Sequence, residues 1–326
     1  MTKRIYGIDL LKVLACSGVV ALHTVNGSLG IVNRIVTIIC SLSIPTFFMC
    51  SGYVAFLKSE ISYHYVLKKI NKIVIVCFGW EILHAIAYFL YYHDVRNFVE
   101  SFFLDFLQKG LFFHFWFMGV LIILYLLLPI LRVLKMKMPM IYAGILVGMC
   151  VICICIDGIN MIIGYQANLS VVQTFRLWQW LFYYMLGGFF ATCENKRKIN
   201  IEQVGIALSV LVVWLWLVGE YRFGKIEIEG FYGSVPVIGA TICMFLFFYQ
   251  AKFNSLTIKL LKLETSCIMG VYIIHPFIGA TLSHFIPLLG IKCMPNLMCW
   301  IITILISVII SWAIGKIPLI SELIKI

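Results

Sequence analysis

The chain has 326 residues, of which 63% are hydrophobic and only 12% are charged, and its mean hydropathy is +1.03. A water-soluble protein carries about 25% charged residues, so this composition excludes a soluble domain and indicates an integral membrane protein. The net charge of +11 comes from basic residues in short clusters between apolar runs, not on one soluble face. We therefore expect no nucleic-acid partner and interpret the clusters as topology signals.

Ten apolar segments are candidate membrane spans, because a spanning helix needs roughly 20 mainly apolar residues. In chain order they are Ile5 to Val25, Ile35 to Leu57, Ile73 to Leu90, Leu111 to Leu131, Ile141 to Ile156, Leu177 to Cys193, Val204 to Val218, Val235 to Tyr249, Ser266 to Phe285 and Pro295 to Ile314. Their apolar runs are continuous and lack the alternation of barrel strands. The sequence thus predicts an all-α polytopic integral membrane protein, a bundle of about ten transmembrane helices, with residues 1–326 as a single domain.

The distribution of Lys and Arg between the connections predicts the orientation of the bundle. With the N-terminus in the cytoplasm, the inner connections hold most of the basic residues, including Lys68, Lys69 and Lys72. By the positive-inside rule both termini are predicted to be cytoplasmic, and the cytoplasmic mouth to be electropositive. The 12 cysteines lie mostly in apolar runs, where they behave as small hydrophobic residues, so we predict neither a disulfide framework nor a metal site.

Charged residues inside spans are costly and mark function by default, and the first segment holds Asp9, Lys12 and His23. Lys12 and His23 are eleven residues apart, which in an α-helix is about 16.5 Å of rise and three turns plus roughly 20°. They therefore share one helix face, with Lys12 towards the cytoplasm and His23 towards the outer leaflet. An alternative is that Asp9 and Lys12, an i,i+3 pair, neutralise each other while His23 only caps the helix.

A second basic pair stands where the third segment leaves the cytoplasm. Lys69 and Lys72 are three residues apart and therefore share a helix face. They either bind a phosphorylated ligand or anchor the helix by reaching lipid phosphates. Further along the same segment, Glu81 needs a partner, because an unpaired buried carboxylate would cost several kcal/mol or become protonated. His84, Lys12 and His23 are the candidates.

Two connections on the outer side carry further predictions. His93 to Gly110 has apolar residues at helical spacing, which predicts an amphipathic helix on the outer surface. Gly219 to Ser234 is polar and aromatic, and could contact a glycan through Tyr221, Phe231 or Tyr232.

The opening GIDLLKVLACSGVVALHT places an Asp, a basic residue and a His at set spacing, and later segments carry further motifs. These are Ser51, Gly52 and Tyr53 in IPTFFMCSGYVAFL, His114, Trp116, Phe117, Tyr125 and Pro129 in HFWFMGVLIILYLLLPIL, the stretch YYMLGG, and Ser266, Gly270, Tyr272, His275 and Pro276 in ETSCIMGVYIIHP. Together they resemble the membrane-bound acyltransferase family 3, which includes bacterial O-acetyltransferases of cell-surface polysaccharides. His23 matches the family's essential His, whereas Lys12, Lys69 and Lys72 stand where the family has Arg. Lys keeps the charge but loses the bidentate fork.

The resemblance implies a multi-pass protein of the bacterial cytoplasmic membrane, surrounded by its lipids. It implies acetyl-CoA as the acyl-CoA donor on the cytoplasmic side, and a hydroxyl of a surface polysaccharide or lipid-linked glycan as the acceptor, with glycan-assembly machinery as a possible partner. Lys12, Lys69 and Lys72 would bind the phosphates of coenzyme A by charge-assisted hydrogen bonds. His23 would act as the general base, either for direct attack or through an acyl-histidine intermediate.

Several residues are candidates for orienting His23 or for the acceptor side of the site. They are Asp9, Glu81, His114, Trp116, Tyr53, Tyr272 and His275. For His114 and Trp116 the alternative is an interfacial aromatic anchor, and for Tyr53, Tyr272 and His275 it is helix packing through hydrogen bonds. The alternative function for the whole chain is export of a polysaccharide or lipid-linked sugar without transferase activity.

Overall fold

A computed structural model describes residues 4–58, 60–94, 97–163, 170–192, 200–225, 228–288, 296–318 and 320–325. Within these ranges the regular structure is helical, and no strand occurs. The α-helices are α1 Tyr6–Thr24, α2 Ile31–Cys40, α3 Ser43–Phe56, α4 Tyr63–Tyr92, α5 Phe98–Phe106, α6 Trp116–Lys137, α7 Pro139–Ile163, α8 Leu177–Thr192, α9 Ile201–Arg222, α10 Val235–Tyr249, α11 Ser255–Leu288 and α12 Asn296–Lys316. The all-α prediction is confirmed for the described part of the chain.

Each of the ten predicted spans coincides with helix, and that of α10 has the predicted bounds. Among the described residues, eight spans are long and apolar enough to cross a membrane, with α2 and α3 together forming one of them. The helices α8 and α10 are shorter, at 16 and 15 residues. The number of about ten spans therefore stays a prediction at these two helices, and so does the orientation of the termini.

The second predicted span is broken between α2 and α3. The Ser41 hydroxyl donates to the Ile38 carbonyl at 2.6 Å, which satisfies a carbonyl at the end of α2. Pro45 lies in the first turn of α3, where its missing N–H needs no partner. The chain therefore changes direction inside an otherwise continuous apolar run.

The helix α1 lies in the interior of the bundle. It packs against α2, α3, α10, α11 and α12, so its faces meet protein on several sides instead of lipid. Leu11, Ala15 and Val20 are buried in these contacts. A polar side chain on α1 is consequently held within the protein, which is where charged groups in spans are found when they serve a function.

The helices α3 and α8 form the most extensive helix pair of the bundle. A Cβ built on Gly52 would overlap the Tyr184 carbonyl, and one built on Gly187 would overlap the Met49 carbonyl. The two backbones thus approach closely where each helix has a glycine, as is common in membrane bundles.

We expect Gly187→Ala to lower the stability of the protein by about 1–3 kcal/mol or more, because neither backbone can move away from the added methyl group. The measurement is the thermal unfolding midpoint in detergent. Gly144→Ala in α7 is the matched control, since a Cβ there meets no atom within 4 Å. An unchanged midpoint in Gly187→Ala would contradict this account of the helix pair.

The predicted surface helix within His93 to Gly110 forms as α5, but it does not lie free on a surface. After α4 ends, the chain turns back, and the Phe98 and Phe102 rings contact Phe78 at 5.0 and 5.8 Å. Phe78 is fourteen residues before the end of α4, which is about 21 Å along the helix axis. Asp105, at the other end of α5, is completely buried, and so α5 is part of the bundle.

Candidate active site

Three predicted histidines from three separate elements meet at one end of α1. His23 is in the last turn of α1, His114 is in the 3-10 turn Phe113–Phe115, and His275 is in α11. The ring of His275 lies 5.2 Å from that of His23 and 5.8 Å from that of His114, measured between ring centroids. The Phe113 ring contacts His23 edge-on at 5.5 Å. His23 keeps an exposed surface, whereas His114 and His275 are buried.

The ring nitrogens of the two buried histidines are largely unpartnered. His275 is 0% exposed, and its Nδ1 lies 3.0 Å from the Val271 carbonyl. Because a carbonyl oxygen only accepts, Nδ1 donates, and the neutral ring carries its lone pair on Nε2. That Nε2 has no hydrogen-bond partner among the described residues, and neither ring nitrogen of His114 makes a hydrogen bond of good geometry there. Both rings therefore carry buried nitrogen atoms without a hydrogen-bond partner in the described chain, which is uncommon in folded proteins.

A cavity of about 60 Å³ opens beside these rings. Its lining includes Val19 and His23 of α1, His114 and Tyr272, and otherwise aliphatic and aromatic side chains. It is several times larger than the roughly 10–15 Å³ that one water needs. Val19 lies one turn before His23, on the side of Lys12. The cavity is therefore on the Lys12 side of His23, on the helix face that these residues share.

The predicted lysines gather in one patch at the opposite end of this face. The positive charges of Lys72, Lys58, Lys12 and Lys68 all act on the Lys69 ammonium group. We call these five residues the basic patch. Lys12, Lys69 and Lys72 are half-buried, and none of the five makes an ion pair with a carboxylate of the described chain. Because like charges held together without counter-ions repel each other, the patch is suited to an anionic ligand.

Asp9 pairs with Arg4 and not with Lys12, so the ion pair in that alternative is wrong. Its Oδ2 accepts a hydrogen bond from Arg4 Nε at 2.5 Å, and Arg4 Nη2 donates to the Thr265 hydroxyl at 2.7 Å. Asp9 therefore ties the start of α1 to α11. It lies fourteen residues from His23, about 21 Å along the helix, and so cannot orient that ring directly.

The Glu81 carboxyl group does not pair with Lys12 or His23. Its carboxyl group, 2% exposed, lies close to that of Asp105 of α5 and interacts with it. Sequence reasoning did not single out Asp105 as a site residue. The helical spacing of Phe102, Phe103 and Phe106 had placed the acidic residues of this segment on the opposite, solvent-facing side of the helix. A carboxylate so close to three phenylalanines in the sequence was the one sign that Asp105 is buried.

The remaining predicted residues are packed in the bundle. Trp116 is buried beside Trp180, with ring centroids 5.3 Å apart, and it lines the cavity with His23 and His114. The interfacial-anchor alternative is therefore wrong for Trp116. The Tyr53 ring packs edge-on against Tyr249, with centroids 5.7 Å apart. The Tyr272 hydroxyl donates to the His114 carbonyl. The helix-packing alternative thus describes both tyrosines, and Tyr272 also fixes His114.

The connection from Gly219 to Ser234, which is predicted to lie on the outer side, offers little surface to a glycan in its described part, which leaves out residues 226–227. Phe231 and Tyr232 are buried, and of the three predicted contacts only Tyr221 is exposed. Sequence reasoning also missed a buried ion pair beside it. Arg222 donates two hydrogen bonds to Asp157 of α7, at 2.7 and 2.8 Å. This bidentate pair fixes the end of α9.

The chain belongs to acyltransferase family 3. The profile of that family, described as an acyltransferase domain, matches residues 5–316, which spans the basic patch, the cavity and the three histidines. The fold and the family together define a multi-pass helical member of this acyltransferase family.

Among characterised proteins, the chain is similar to an amino-acid racemase of Enterococcus faecalis, at 22% identity over 318 residues. The match covers 89% of this chain and 43% of that protein, so the chain spans less than half of its relative's length. No solved structure matches the chain.

Proposed function

We propose that the protein is an O-acyltransferase that transfers an acyl group, acetyl in the first instance, from cytoplasmic acyl-CoA to a hydroxyl of a surface polysaccharide or glycolipid. The observation that carries this proposal is the position of the cavity. It lies between the basic patch and His23, on the face of α1 that contains Lys12 and His23. A donor with an anionic end and a reactive end can bind along this face in one orientation only, with its anionic end at the basic patch and its reactive end at His23.

The basic patch would hold the donor's phosphates. Coenzyme A carries its phosphates at one end and the thioester at the end of a narrow arm, and ammonium groups bind phosphate by charge-assisted hydrogen bonds. Lys12 and His23 are separated by about 16.5 Å along α1. The arm would follow this face, and the acyl group would enter the apolar cavity beside His23.

The histidine cluster would carry out the chemistry. His23 takes the proton of the acceptor hydroxyl as its oxygen attacks the thioester carbon. The carbon–sulfur bond then breaks, and the departing thiolate takes that proton from the His23 imidazolium, so the ester and free coenzyme A are formed. The adjacent His275 ring, with its lone pair on Nε2, would stabilise the imidazolium. The alternative route is covalent: His23 attacks the thioester and releases the coenzyme A thiol, and the acceptor hydroxyl then takes the acyl group from the acyl-histidine.

The membrane placement follows from the same arrangement. We place the basic patch at the cytoplasmic face of the bacterial cytoplasmic membrane, where the positive-inside rule favours it, and His23 towards the outer leaflet. The acceptor would then arrive from the outer side, delivered by glycan-assembly machinery. Racemisation is not proposed for this chain, because the stretch that it shares with the racemase is less than half of that protein.

The direct test is transfer of label by the purified protein in nanodiscs, supplied with radiolabelled acetyl-CoA and a mixed pool of glycan acceptors. We expect label on a glycan, which also identifies the acceptor. Absence of both transfer and acetyl-CoA binding, with a full range of acceptors present, would contradict the proposal and favour export of a polysaccharide.

A separate prediction concerns the size of the cavity. Val19→Phe fills it, so we expect the rate of acetyl transfer to fall by tenfold or more, since displacing a reacting group by about 1 Å can cost 10²-fold. Binding of coenzyme A without its acyl group should be nearly unchanged. Leu14→Phe, at an exposed position of the same helix, is the matched control. Equal rates in the two variants would show that the acyl group does not occupy this cavity.

A further inference from the structure

The strongest feature outside the donor path is a pair of buried carboxyl groups. Glu81 of α4 and Asp105 of α5 are 2% and 0% exposed, and their carboxyl groups are close enough to interact. Glu81 Oε2 and Asp105 Oδ2 accept no hydrogen bond from any other group of the described chain. Neither forms an ion pair with a Lys or Arg of the described chain. Two carboxylates in contact without a counter-ion cannot both be ionised. One proton must therefore lie between them.

The pair is connected to the site through a short stretch of backbone. Asp105 Oδ1 accepts a hydrogen bond from the Phe112 N–H at 2.8 Å. A Cβ on Gly110 would overlap this carboxyl group, so the chain wraps tightly around it. The Phe112 ring stacks on Phe115 with centroids 4.8 Å apart. The backbone between these two phenylalanines carries His114.

His114 is consequently fixed from both sides while its ring stays available. Asp105 holds the backbone two residues before it, and the Tyr272 hydroxyl holds its own carbonyl. The ring, 2% exposed, lines the cavity with His23. A displacement of the backbone at Phe112 would move this ring relative to the reacting groups.

We propose that Glu81 and Asp105 are positioning residues that share one proton and thereby hold His114 at the cavity in its active position. The pair does not touch the substrate, and it acts only through the backbone of residues 107–114. The role in the reaction rests on the proposed acyl transfer, whereas the shared proton and the fixed backbone do not.

The direction in which pH changes the stability of this region follows from the environment of Asp105. This residue lies outside the membrane-spanning helices. Burial first, and then the neighbouring Glu81 carboxyl, raise the pKa of Asp105 to about 8. A raised pKa in the folded state means that the shared proton stabilises the fold fully at low pH. This stabilisation is lost as the pH rises through about 8. We therefore expect the backbone at Phe112 to loosen at alkaline pH.

Other titratable groups surround the pair, and the test must separate them from it. They are Cys77 and His84 on α4, His114 in the 3-10 turn and Tyr272 on α11. Variants of the two carboxyl groups distinguish their titration from that of these neighbours. Glu81→Gln keeps a donor for Asp105 but cannot titrate, whereas Glu81→Ala leaves Asp105 without its partner.

Two measurements test the pair without requiring activity. In infrared titration of the wild type, the C=O band of a buried protonated carboxyl group should disappear as the pH rises above neutral, and Glu81→Gln and Asp105→Asn should lack this titrating band. In hydrogen exchange of residues 107–115, Glu81→Ala should exchange at least tenfold faster than the wild type, while Glu81→Gln should exchange at a similar rate. Glu100→Gln, at an exposed position of α5, is the control for both.

The activity measurement tests the positioning role. Glu81→Ala should lower kcat by tenfold or more with an unchanged KM for acetyl-CoA, since misplacing a group near the chemistry acts on kcat. Glu81→Gln should restore kcat and remove the loss of activity that we expect of the wild type at alkaline pH. A wild type without the titrating band would overturn the shared proton, and equal kcat in Glu81→Ala and the wild type would overturn the positioning role. If the wild type transfers no acyl group at all, the proposed function fails, while the infrared and exchange results still decide on the pair.

Discussion

Replacement of His23 with alanine is expected to lower the rate of acyl transfer by about 10²–10⁴-fold, the usual contribution of a general base. If the acyl group passes through a covalent acyl-histidine, the loss is larger, because the nucleophile itself is removed. His23 is the exposed member of the histidine cluster, and it lies between the apolar cavity and the C-terminal end of α1. The variant should still insert and bind acetyl-CoA, because the basic patch lies at the other end of the helix.

The measurement is the initial rate of label transfer with wild type and variant at equal protein concentration. His284→Ala is the matched control, because His284 is an exposed histidine near the end of α11 and away from the cavity lining. Wild-type rates in His23→Ala would remove His23 from the chemistry. A variant that fails to bind acetyl-CoA would instead show that His23 acts in donor binding.

The second large effect is expected for the double variant Lys69→Ala, Lys72→Ala. Two phosphate contacts are lost, each a charge-assisted hydrogen bond worth about 1.5–3 kcal/mol, so the affinity for acetyl-CoA should fall by about 10²-fold or more. The remaining affinity should also depend less on salt, because fewer exposed charges are involved. The rate at saturating donor should change little, since these lysines are remote from the histidines.

The control for this variant is a second pair of lysines with the same spacing, in another part of the chain. Lys259 and Lys262 are also three residues apart and are exposed on α11, so their replacement by alanine removes the same net charge. Calorimetry at two salt concentrations compares the two double variants. Equal affinities, or an unchanged salt dependence in Lys69→Ala, Lys72→Ala, would show that these residues are lipid anchors. Lys69→Arg with Lys72→Arg should bind at least as tightly as the wild type, because the guanidinium group can bind phosphate in a bidentate manner.

Much of the bundle could be predicted from the sequence, because apolar runs of spanning length leave few alternatives to helix. The common face of Lys12 and His23 follows from helix geometry alone, and the structure places the cavity on that face. The break between α2 and α3 was missed, because Ser41 and Leu42 sit in a run that is apolar on both sides. Local composition does not show where such a run changes direction.

The contacts between distant elements could not be predicted. The cluster of His23, His114 and His275 depends on how α1, the 3-10 turn before α6 and α11 pack together, which no spacing within one helix reveals. The partner of Glu81 was sought among cations, since a buried carboxylate usually pairs with one. Asp105 became its partner only because α5 turns back along α4, and that turn is a property of the folded chain.

The central claim is that the acyl group crosses from the face of the basic patch to an acceptor on the other face. The most direct measurement uses proteoliposomes with the glycan acceptor enclosed and labelled acetyl-CoA outside, sorted by the orientation of the protein. We predict label on the enclosed acceptor only in vesicles whose basic patch faces outward, and none with His23→Ala. Transfer that requires donor and acceptor on the same face would contradict the claim.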